Sequence, residues 1–193
     1  MDKDSGLLIK LDFEKAYDNV DHEFLDSMMK GMGFGEKRRQ WMRSCISTPM
    51  LSVLVNRSHT SQFTVEKGLR QGYPLSHFLF NIVIDGLNCL IGKAVDLGLV
   101  RGATFGDYTV HITYLQFADD TILFLKPKIK YLHNAIRLVR CFKLAAGLRI
   151  NCHKSCLVKI RKCGPLNVDW ADIFHCRQAA LTTTYLGLPL GAR

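Results

Sequence analysis

The sequence predicts an α+β fold in which an antiparallel sheet carries helices on one face, close to the split βαβ plan. Short apolar runs typical of strands alternate along the chain with longer segments of helical period. Two strand-like runs, 111–117 and 121–125, are separated only by residues 118–120, which leaves room for nothing but a tight turn. With 193 residues, 48% hydrophobic content and no repeat or linker, the chain is expected to form a single domain over 1–193.

The first half of the chain is predicted to contain a strand, two helices, a hairpin and the longest helix. A short apolar run that ends in an acid is typical of a buried strand, and Asp21 precedes apolar residues at helical spacing, as an N-cap does. Turn residues between two β-rich runs indicate a hairpin. The predicted elements are, in order, a strand over 7–13, helices over 24–32 and 41–46, a hairpin that joins 50–55 to 62–65, and a helix over 79–94.

The second half is predicted to continue with strands around one more helix. A proline suits the first turn of a helix, and a glycine suits the position just after its end. The predicted elements are strands over 111–117 and 121–125, a helix that opens at Pro127 and stops at Gly147, strands over 148–151 and 156–160, and a short strand or turn over 185–191.

Composition and charge indicate which partners and which cellular location the protein has. The 26 Lys and Arg against 17 Asp and Glu leave a net charge of +9, which suits a polyanionic partner such as a nucleic acid. The acidic N-terminus is unlike a signal peptide. The longest apolar stretch, 75–95, is interrupted by polar residues, so no membrane span is expected. We therefore expect an intracellular protein of the nucleus or cytoplasm, not secreted and without a membrane partner.

The seven cysteines are expected to be reduced thiols, because their number is odd and they are scattered along a chain of intracellular character. The alternative is a zinc site formed by Cys152, Cys156, His175 and Cys176, although this spacing fits no short paired-ligand pattern. A structure that brings the four side chains together would favour the zinc site.

Acidic residues stand at the ends of two apolar strands, where an unpaired carboxylate is costly. Asp12 follows the first strand, and Asp119 and Asp120 occupy the tip of the predicted hairpin. If these ends are neighbours in the sheet, two or three carboxylates converge, and their repulsion raises at least one pKa unless divalent cations neutralise them. Oxygen-only ligands favour magnesium or manganese over zinc, and two such ions stabilise both oxygens of an in-line phosphoryl transfer. The alternative is a turn whose Asp side chains bond only to the local backbone.

Five sequence blocks stand in order along the chain and together span Leu11 to Gly191. They are LDFEKAYD at 11–18, GLRQGYPLS at 68–76, FADD at 117–120, GLRIN at 147–151 with the following Lys154-Ser155, and YLGLPLG at 185–191. The arrangement resembles the palm of reverse transcriptases, in particular those of non-LTR (LINE-type) retrotransposons of plants.

The resemblance implies an RNA-directed DNA polymerase that uses two-metal nucleotidyl transfer. Its partners would be an RNA template with a DNA primer, as an RNA–DNA hybrid, and a deoxynucleoside triphosphate. The implied ligands of two Mg²⁺ ions, with Mn²⁺ as an alternative, are the catalytic residues Asp12, Asp119 and Asp120. The other implied site residues are Lys154 as a catalytic proton donor to pyrophosphate, Phe13, Tyr17, Gln71 and Gly72 at the nucleotide, and Leu186 and Gly187 in the primer grip.

The chain departs from the family pattern at two positions, where Tyr73 stands in place of Asp and His77 in place of Pro. It also begins close to the first catalytic strand and ends soon after the primer-grip block. The fingers and thumb are therefore expected to be largely absent unless a partner chain supplies them. The resemblance then implies a polymerase fragment that is weak or inactive in isolation. The alternatives are a non-catalytic nucleic-acid-binding module and an inactive transposon remnant.

Overall fold

A computed structural model gives the chain five α-helices and thirteen β-strands within the residues that it describes, 5–48, 50–105, 110–160, 170–180, 184–185 and 188–189. The helices are α1 (His22–Gly31), α2 (Glu36–Ser47), α3 (Pro74–Asp96), α4 (Ile129–Ala146) and α5 (Trp170–Phe174). The strands are β1 (Gly6–Leu11), β2 (Met50–Leu51), β3 (Leu54–Val55), β4 (Ser58–His59), β5 (Phe63–Thr64), β6 (Ala103–Phe105), β7 (Val110–Ile112), β8 (Tyr114–Phe117), β9 (Asp120–Leu125), β10 (Cys156–Ile160), β11 (Arg177–Ala179), β12 (Thr184–Tyr185) and β13 (Leu188–Pro189). They group into two compact units, one from the described residues of 1–14, 87–142 and 150–193 and the other from those of 15–86 and 143–149.

A five-stranded sheet in the order β11-β10-β1-β9-β8 organises the first unit. The central strand β1 pairs antiparallel with both β9 and β10, and β8 pairs antiparallel with β9 as a hairpin. This confirms the predicted α+β fold with an antiparallel sheet. The edge strand β11 differs from that expectation, because it pairs parallel with β10. Parallel neighbours need a crossover connection, and the short helix α5 lies in the segment between them.

The two faces of the sheet are covered by different elements. On one face, Phe124 of β9 packs in a buried cluster with Ala103 of β6. On the other face, Leu123 of β9 lies beside Ile91 of α3 and Val139 of α4. Side chains alternate along a strand, which is why consecutive residues serve opposite faces. Helices α3 and α4 therefore share one face of the sheet, and the β6–β7 hairpin partly covers the other.

Two predicted strands differ from the observed ones. The run 111–117 is interrupted at Thr113, whose carbonyl accepts a hydrogen bond from Phe124 N–H at 2.7 Å. Its first part pairs with β6, and its second part forms β8. The predicted strand at 148–151 is reduced to one bridge between Phe13 and Ile150, because the chain turns immediately after Asn151.

Helix ends follow the local capping chemistry. The side chain of Asp21 accepts a hydrogen bond from Phe24 N–H at 2.8 Å, which confirms the predicted cap of α1. Helix α4 begins at Ile129, two residues later than predicted, and the N–H of Tyr131 bonds to the Lys128 carbonyl just before it. Helix α4 ends at Ala146, before the glycine that was expected to stop it.

The second unit holds α1, α2 and two small hairpins. Arg39 of α2 is nearly buried and forms ion pairs with Asp26 of α1 and with Glu36. The strands β3 and β4 are joined by Asn56 and Arg57, both with positive φ, as a two-residue hairpin turn requires. This confirms the predicted hairpin, and a second pair, β2 with β5, extends it.

The segment at Gly68 is held against the turn that follows the first motif. Gly68 N–H bonds to the Val20 carbonyl at 2.8 Å, and Leu69 N–H bonds to the Tyr17 carbonyl at 2.7 Å. A Cβ at position 68 would lie 2.5 Å from the Asp18 carbonyl oxygen, and the residue has a φ of +87°. Only glycine meets both conditions without strain.

Within the described residues, α3 is a helix long and apolar enough to cross a bilayer. Half of its most apolar window is buried inside the protein, as is usual for the core helix of a globular protein.

We expect Gly68→Ala to lower the free energy of unfolding by roughly 2–4 kcal/mol, because the new Cβ meets the Asp18 backbone at a positive φ. Gly72→Ala is the matched control, since φ there is +84° but no atom lies within 4 Å of the added Cβ. Gly72→Ala should lower the free energy of unfolding by about 1–2 kcal/mol. Urea unfolding followed by circular dichroism measures both, and equal losses would contradict the steric contact.

Candidate active site

The register of the sheet places three carboxylates at one end of β1 and β9. Leu11 pairs with Thr121, so Asp12, the next residue, lies beside the β8–β9 turn that contains Asp119 and leads into Asp120. Asp12 and Asp120 are half-buried, whereas Asp119 is exposed. The convergence expected from the strand ends is therefore present in the first unit.

The β8–β9 turn is braced by a glutamine. Gln116 Nε2 donates a hydrogen bond to the Ala118 carbonyl at 2.8 Å, and Gln116 Oε1 accepts one from Thr121 Oγ1 at 3.1 Å. Ala118 has a φ of +50°, an unusual value for a residue with a side chain. The two hydrogen bonds hold this strained turn and thereby fix where Asp119 leaves the sheet.

Lys10 supplies a counter-charge at the same edge. Its Nζ lies 3.7 Å from the Asp120 carboxylate, and both side chains are partly exposed. Lys10 and Asp12 are two residues apart on one strand, so they share a face of the sheet. Asp120 therefore has a cationic partner on the face of the sheet opposite to α3 and α4.

A tight turn after Asn151 is attached to the backbone of Asp12. Asn151 N–H donates to the Asp12 carbonyl at 2.8 Å, and Asp12 N–H donates to Ser155 Oγ at 3.1 Å. Within the turn, Asn151 Oδ1 accepts the N–H groups of His153 and Lys154, each at 3.1 Å. This arrangement brings Lys154 close enough to act electrostatically on Asp12.

Burial raises the pKa of the Asp12 carboxyl above its ordinary value. The Lys154 ammonium opposes the increase, the Asp119 and Asp120 carboxylates add to it, and Lys10 again opposes it. Burial and neighbouring negative charges make ionisation of the carboxyl unfavourable. A nearby cation lowers the free energy of the ionised form.

The donor set fits a hard divalent cation in its chemistry, because it offers carboxylate oxygens of which one is hard to ionise unaided. Among the described residues, no three His, Cys, Asp or Glu side chains stand close enough together to ligate one ion as they are placed. Asp120 lies in an ion pair with Lys10 at 3.7 Å. Ligation of one ion by all three carboxylates would therefore need their side chains to move closer together.

The zinc alternative is not supported in the part of the chain that the structure describes. Cys156 lies in the buried cluster with Leu8 and Val158. Cys152 and Cys176 instead line a shallow surface depression with His175. The four side chains thus do not form one ligand set.

The second unit holds Tyr17, which the resemblance assigns to nucleotide binding. Its ring stacks on Phe80 with centroids 4.5 Å apart, and its hydroxyl is hydrogen-bonded to His77 Nδ1 at 2.8 Å. One of the two departures from the family pattern, His77, thus fixes the position of Tyr17. In the same unit Gln71 and Gly72 are exposed on a turn.

The other departure, Tyr73, is exposed and paired with Arg70. The Arg70 guanidinium lies 5.1 Å from the Tyr73 ring centroid, and its Nη1 donates to the Tyr73 hydroxyl at 3.0 Å. The Arg70 guanidinium, next to Gln71 in the chain, is therefore paired with the phenol of Tyr73. The family pattern has an Asp at position 73.

Phe13 is 5% exposed and packs edge-to-face on Phe142, so its side chain belongs to the core and its backbone is left for contact with a nucleotide. Its assignment to nucleotide binding stays a prediction. Leu186 and Gly187 lie outside the described residues, although β12 and β13 on either side of them pair antiparallel.

Sequence reasoning missed four residues that shape the carboxylate site: Lys10, Gln116, Asn151 and Ser155. Asn151 carried a usable signal, because Asn often starts a turn by accepting N–H groups two and three residues ahead. The other three act through contacts that are set by strand pairing, and a single sequence does not reveal them.

Comparison with known proteins connects these residues to a family. The family described as "Reverse transcriptase (RNA-dependent DNA polymerase)" matches residues 2–190. The retrovirus-related Pol polyprotein from type-1 retrotransposable element R2 of Popillia japonica is 28% identical over 81% of this chain and 21% of its own length. The transposon TX1 uncharacterized 149 kDa protein of Xenopus laevis is 29% identical over 76% of this chain and 11% of its own length. The chain thus spans about a fifth or less of these relatives.

Solved structures show the same fold. Telomerase from Candida tropicalis in complex with a fragment of telomeric RNA superposes with a TM-score of 0.62 at 14% identity, over 96% of this chain and 28% of that one. The apo enzyme of that species, truncated from its C-terminal domain, gives a TM-score of 0.61 at 15% identity, over 84% and 32% of the two chains.

We expect Asp12→Asn to raise the free energy of unfolding at pH 7. A carboxyl whose pKa is higher in the folded state favours folding while it is protonated, and this contribution is lost as the pH rises through the folded pKa. The gain in the Asn variant should therefore vanish below about pH 4, where the unfolded Asp is also protonated. Urea unfolding at both pH values tests this, with the exposed Asp18→Asn as control. A pH-independent gain would argue against burial as the cause.

We expect Asn151→Ala to lower the free energy of unfolding by about 1–2 kcal/mol, because two backbone N–H groups lose their acceptor. Asn151→Asp keeps an oxygen at the same place and should stay near the wild type. Chemical denaturation compares the two variants. An equal loss in both would show that the turn does not depend on this acceptor.

Proposed function

The chain belongs to the reverse transcriptase (RNA-dependent DNA polymerase) family, and from this premise we propose that it is the palm segment of a non-LTR retrotransposon polymerase, part of a single reverse transcriptase domain over 1–193. The segment adds deoxynucleotides to a DNA primer on an RNA template. The observation that carries the proposal is the register that sets Asp12 beside Asp119 and Asp120, on the sheet face opposite to α3 and α4.

Members of the family use divalent metal ions. Here Asp12 and Asp119 would hold Mg²⁺, or Mn²⁺, and Asp120 would join them on leaving Lys10. When bound, two such ions stabilise the attacking and leaving oxygens of an in-line phosphoryl transfer. The raised pKa of Asp12 supports this role, because it reflects carboxylate repulsion and burial that a divalent cation offsets.

Lys154 donates a proton to the leaving pyrophosphate, since an ammonium can act as a general acid. Its support is the turn built on Asn151, which attaches the Lys154 backbone to that of Asp12 through two hydrogen bonds. Lys154 is itself exposed, so its side chain is free to reach a phosphate.

Tyr17 excludes a ribose 2′-hydroxyl from the nucleotide site by the bulk of its ring. The stacking on Phe80 and the hydrogen bond to His77 support this role, because a steric filter must be rigid. Gln71 and Gly72 contact the incoming nucleotide, with the glycine allowing its backbone to approach closely. Leu186 and Gly187 contact the primer.

The partners proposed for the segment are an RNA–DNA hybrid and a deoxynucleoside triphosphate. A partner chain, or further parts of a longer protein, supplies fingers and thumb; the short share of each relative that the chain covers supports this. The location proposed is intracellular, in the nucleus or cytoplasm.

We expect weak, metal-dependent addition of nucleotides when the chain is incubated with an RNA template, a labelled DNA primer and Mg²⁺ or Mn²⁺. Orientation contributes roughly 7–11 kcal/mol to such reactions, and the chain alone supplies only part of it. Asp119→Asn should abolish the extension, and the exposed Asp18→Asn should not. Gel analysis of the primer under single-turnover conditions measures the effect.

Processive synthesis by the chain alone would contradict the proposal that it needs fingers and thumb from elsewhere. Hybrid binding that is unchanged in Asp12→Asn/Asp119→Asn, without divalent cation uptake by calorimetry, would instead identify a non-catalytic nucleic-acid-binding module. Loss of a cooperative melt would identify an inactive remnant.

A further inference from the structure

The positive charge of the chain is concentrated in a stretch that the proposed reaction uses only at Lys154. Residues 121–168 contain eleven Lys and Arg and no Asp or Glu, whereas the rest of the chain holds fifteen basic and seventeen acidic residues. A surface that only has to be soluble usually mixes both signs. The stretch therefore indicates a polyanionic partner.

Helix α4 carries three of these cations in a row on its solvent side, with one histidine between them. Lys130, His133, Arg137 and Arg140 recur at spacings of three and four residues, and all four are exposed. Residues at these spacings share one face of a helix, and the row is roughly 15 Å long at 1.5 Å per residue. We call these four residues the basic stripe.

No described carboxylate pairs with the basic stripe. The ion pairs of the described residues all lie elsewhere, and the first turn of α4 holds no acid. Like charges three residues apart, such as Arg137 and Arg140, destabilise a helix, and so does a lysine near its N-terminus. Helix α4 thus carries an electrostatic cost that a bound polyanion would remove.

The basic stripe lies across the sheet from the carboxylates. The buried side of α4 faces Leu123 of β9, through Val139. Ile122, the neighbour of Leu123, pairs with Lys10 and points to the opposite face, where the ion pair with Asp120 lies. The stripe is therefore a separate surface from the carboxylate site.

We propose that the basic stripe binds the phosphates of double-stranded RNA and holds it on the side of the sheet away from the carboxylates. The choice of RNA rests on the proposed function, in which RNA is the template. The apolar face of α4, with Leu132 and Phe142, is buried, and the exposed apolar side chains Ile129 and Leu144 lie at opposite ends of the helix, so α4 offers no continuous apolar face to a membrane surface. The stripe has no Phe, Tyr or Trp for stacking single-stranded bases. A straight row of cations suits the rigid phosphate lines of an A-form duplex, which proteins recognise mainly by shape and backbone.

The test measures binding of an RNA duplex of about 20 base pairs to the 193-residue chain by fluorescence anisotropy, between about 50 and 200 mM salt. Lys130→Gln/Arg137→Gln/Arg140→Gln should reduce the slope of log K against log salt by roughly 2–3 and weaken binding about tenfold. Lys30→Gln/Lys37→Gln/Arg38→Gln, which removes the same charge from exposed positions of α1 and α2, should keep the slope. The charge-preserving Lys130→Arg/Arg137→Lys/Arg140→Lys should also bind as the wild type does.

A wild-type slope in the first variant, or an equal loss in the matched control, would overturn the proposal. Tighter stripe-dependent binding to a DNA duplex of the same sequence, or to phosphatidylserine vesicles, would overturn the assignment to RNA. A thermal melt by circular dichroism establishes that each variant is folded. Asp119→Asn should bind the duplex as the wild type does. Loss of primer extension is therefore distinguishable from loss of duplex binding by the basic stripe.

Discussion

The pairing of β1 with strands on both sides is the constraint on which the rest of the first unit depends. Leu8 lies opposite Phe124 on one side and opposite Val158 on the other. A slip of one residue in either register would move every apolar side chain of β1 to the wrong face. The same slip would turn Asp12 away from Asp120. Burial of apolar strands therefore also sets the position of the carboxylates.

The carboxylate site lowers the stability of the fold that positions it. Burial and neighbouring acids make ionised Asp12 unfavourable, and only Lys10 and Lys154 counter this within the site. The surrounding elements tolerate the cost because the strands that present the acids are almost fully buried. Perturbed titration of this kind, in an otherwise apolar setting, is typical of functional sites. The basic stripe of α4 carries a similar electrostatic cost, since its cations form no ion pair with a carboxylate in the described part of the chain and so weaken the helix that the sheet holds in place.

Much of this structure was predictable from local sequence patterns. The apolar run of β1, the turn at Asp119, the cap at Asp21 and the hairpin at Asn56 each depend on residues close together in the chain, and each is observed. The parallel edge strand β11 and the break at Thr113 were not predicted, because both depend on partners far away in sequence. The contact of Phe13 with Phe142 was not predicted for a similar reason, since the motif position of Phe13 does not reveal it.

By itself the sequence determined most of the strands and helices in their order, the family and the acids that end the apolar strands, because periodicity, turn chemistry and motif spacing are local properties. It did not indicate β6, α5 or β11. The tertiary structure alone decided how those acids are surrounded: Asp120 beside Lys10, Asp12 attached to the turn of Asn151, and Tyr17 fixed by His77. The physical reason is that register and packing bring together residues many positions apart in sequence, and their charges and hydrogen bonds then act across distances that no local pattern encodes.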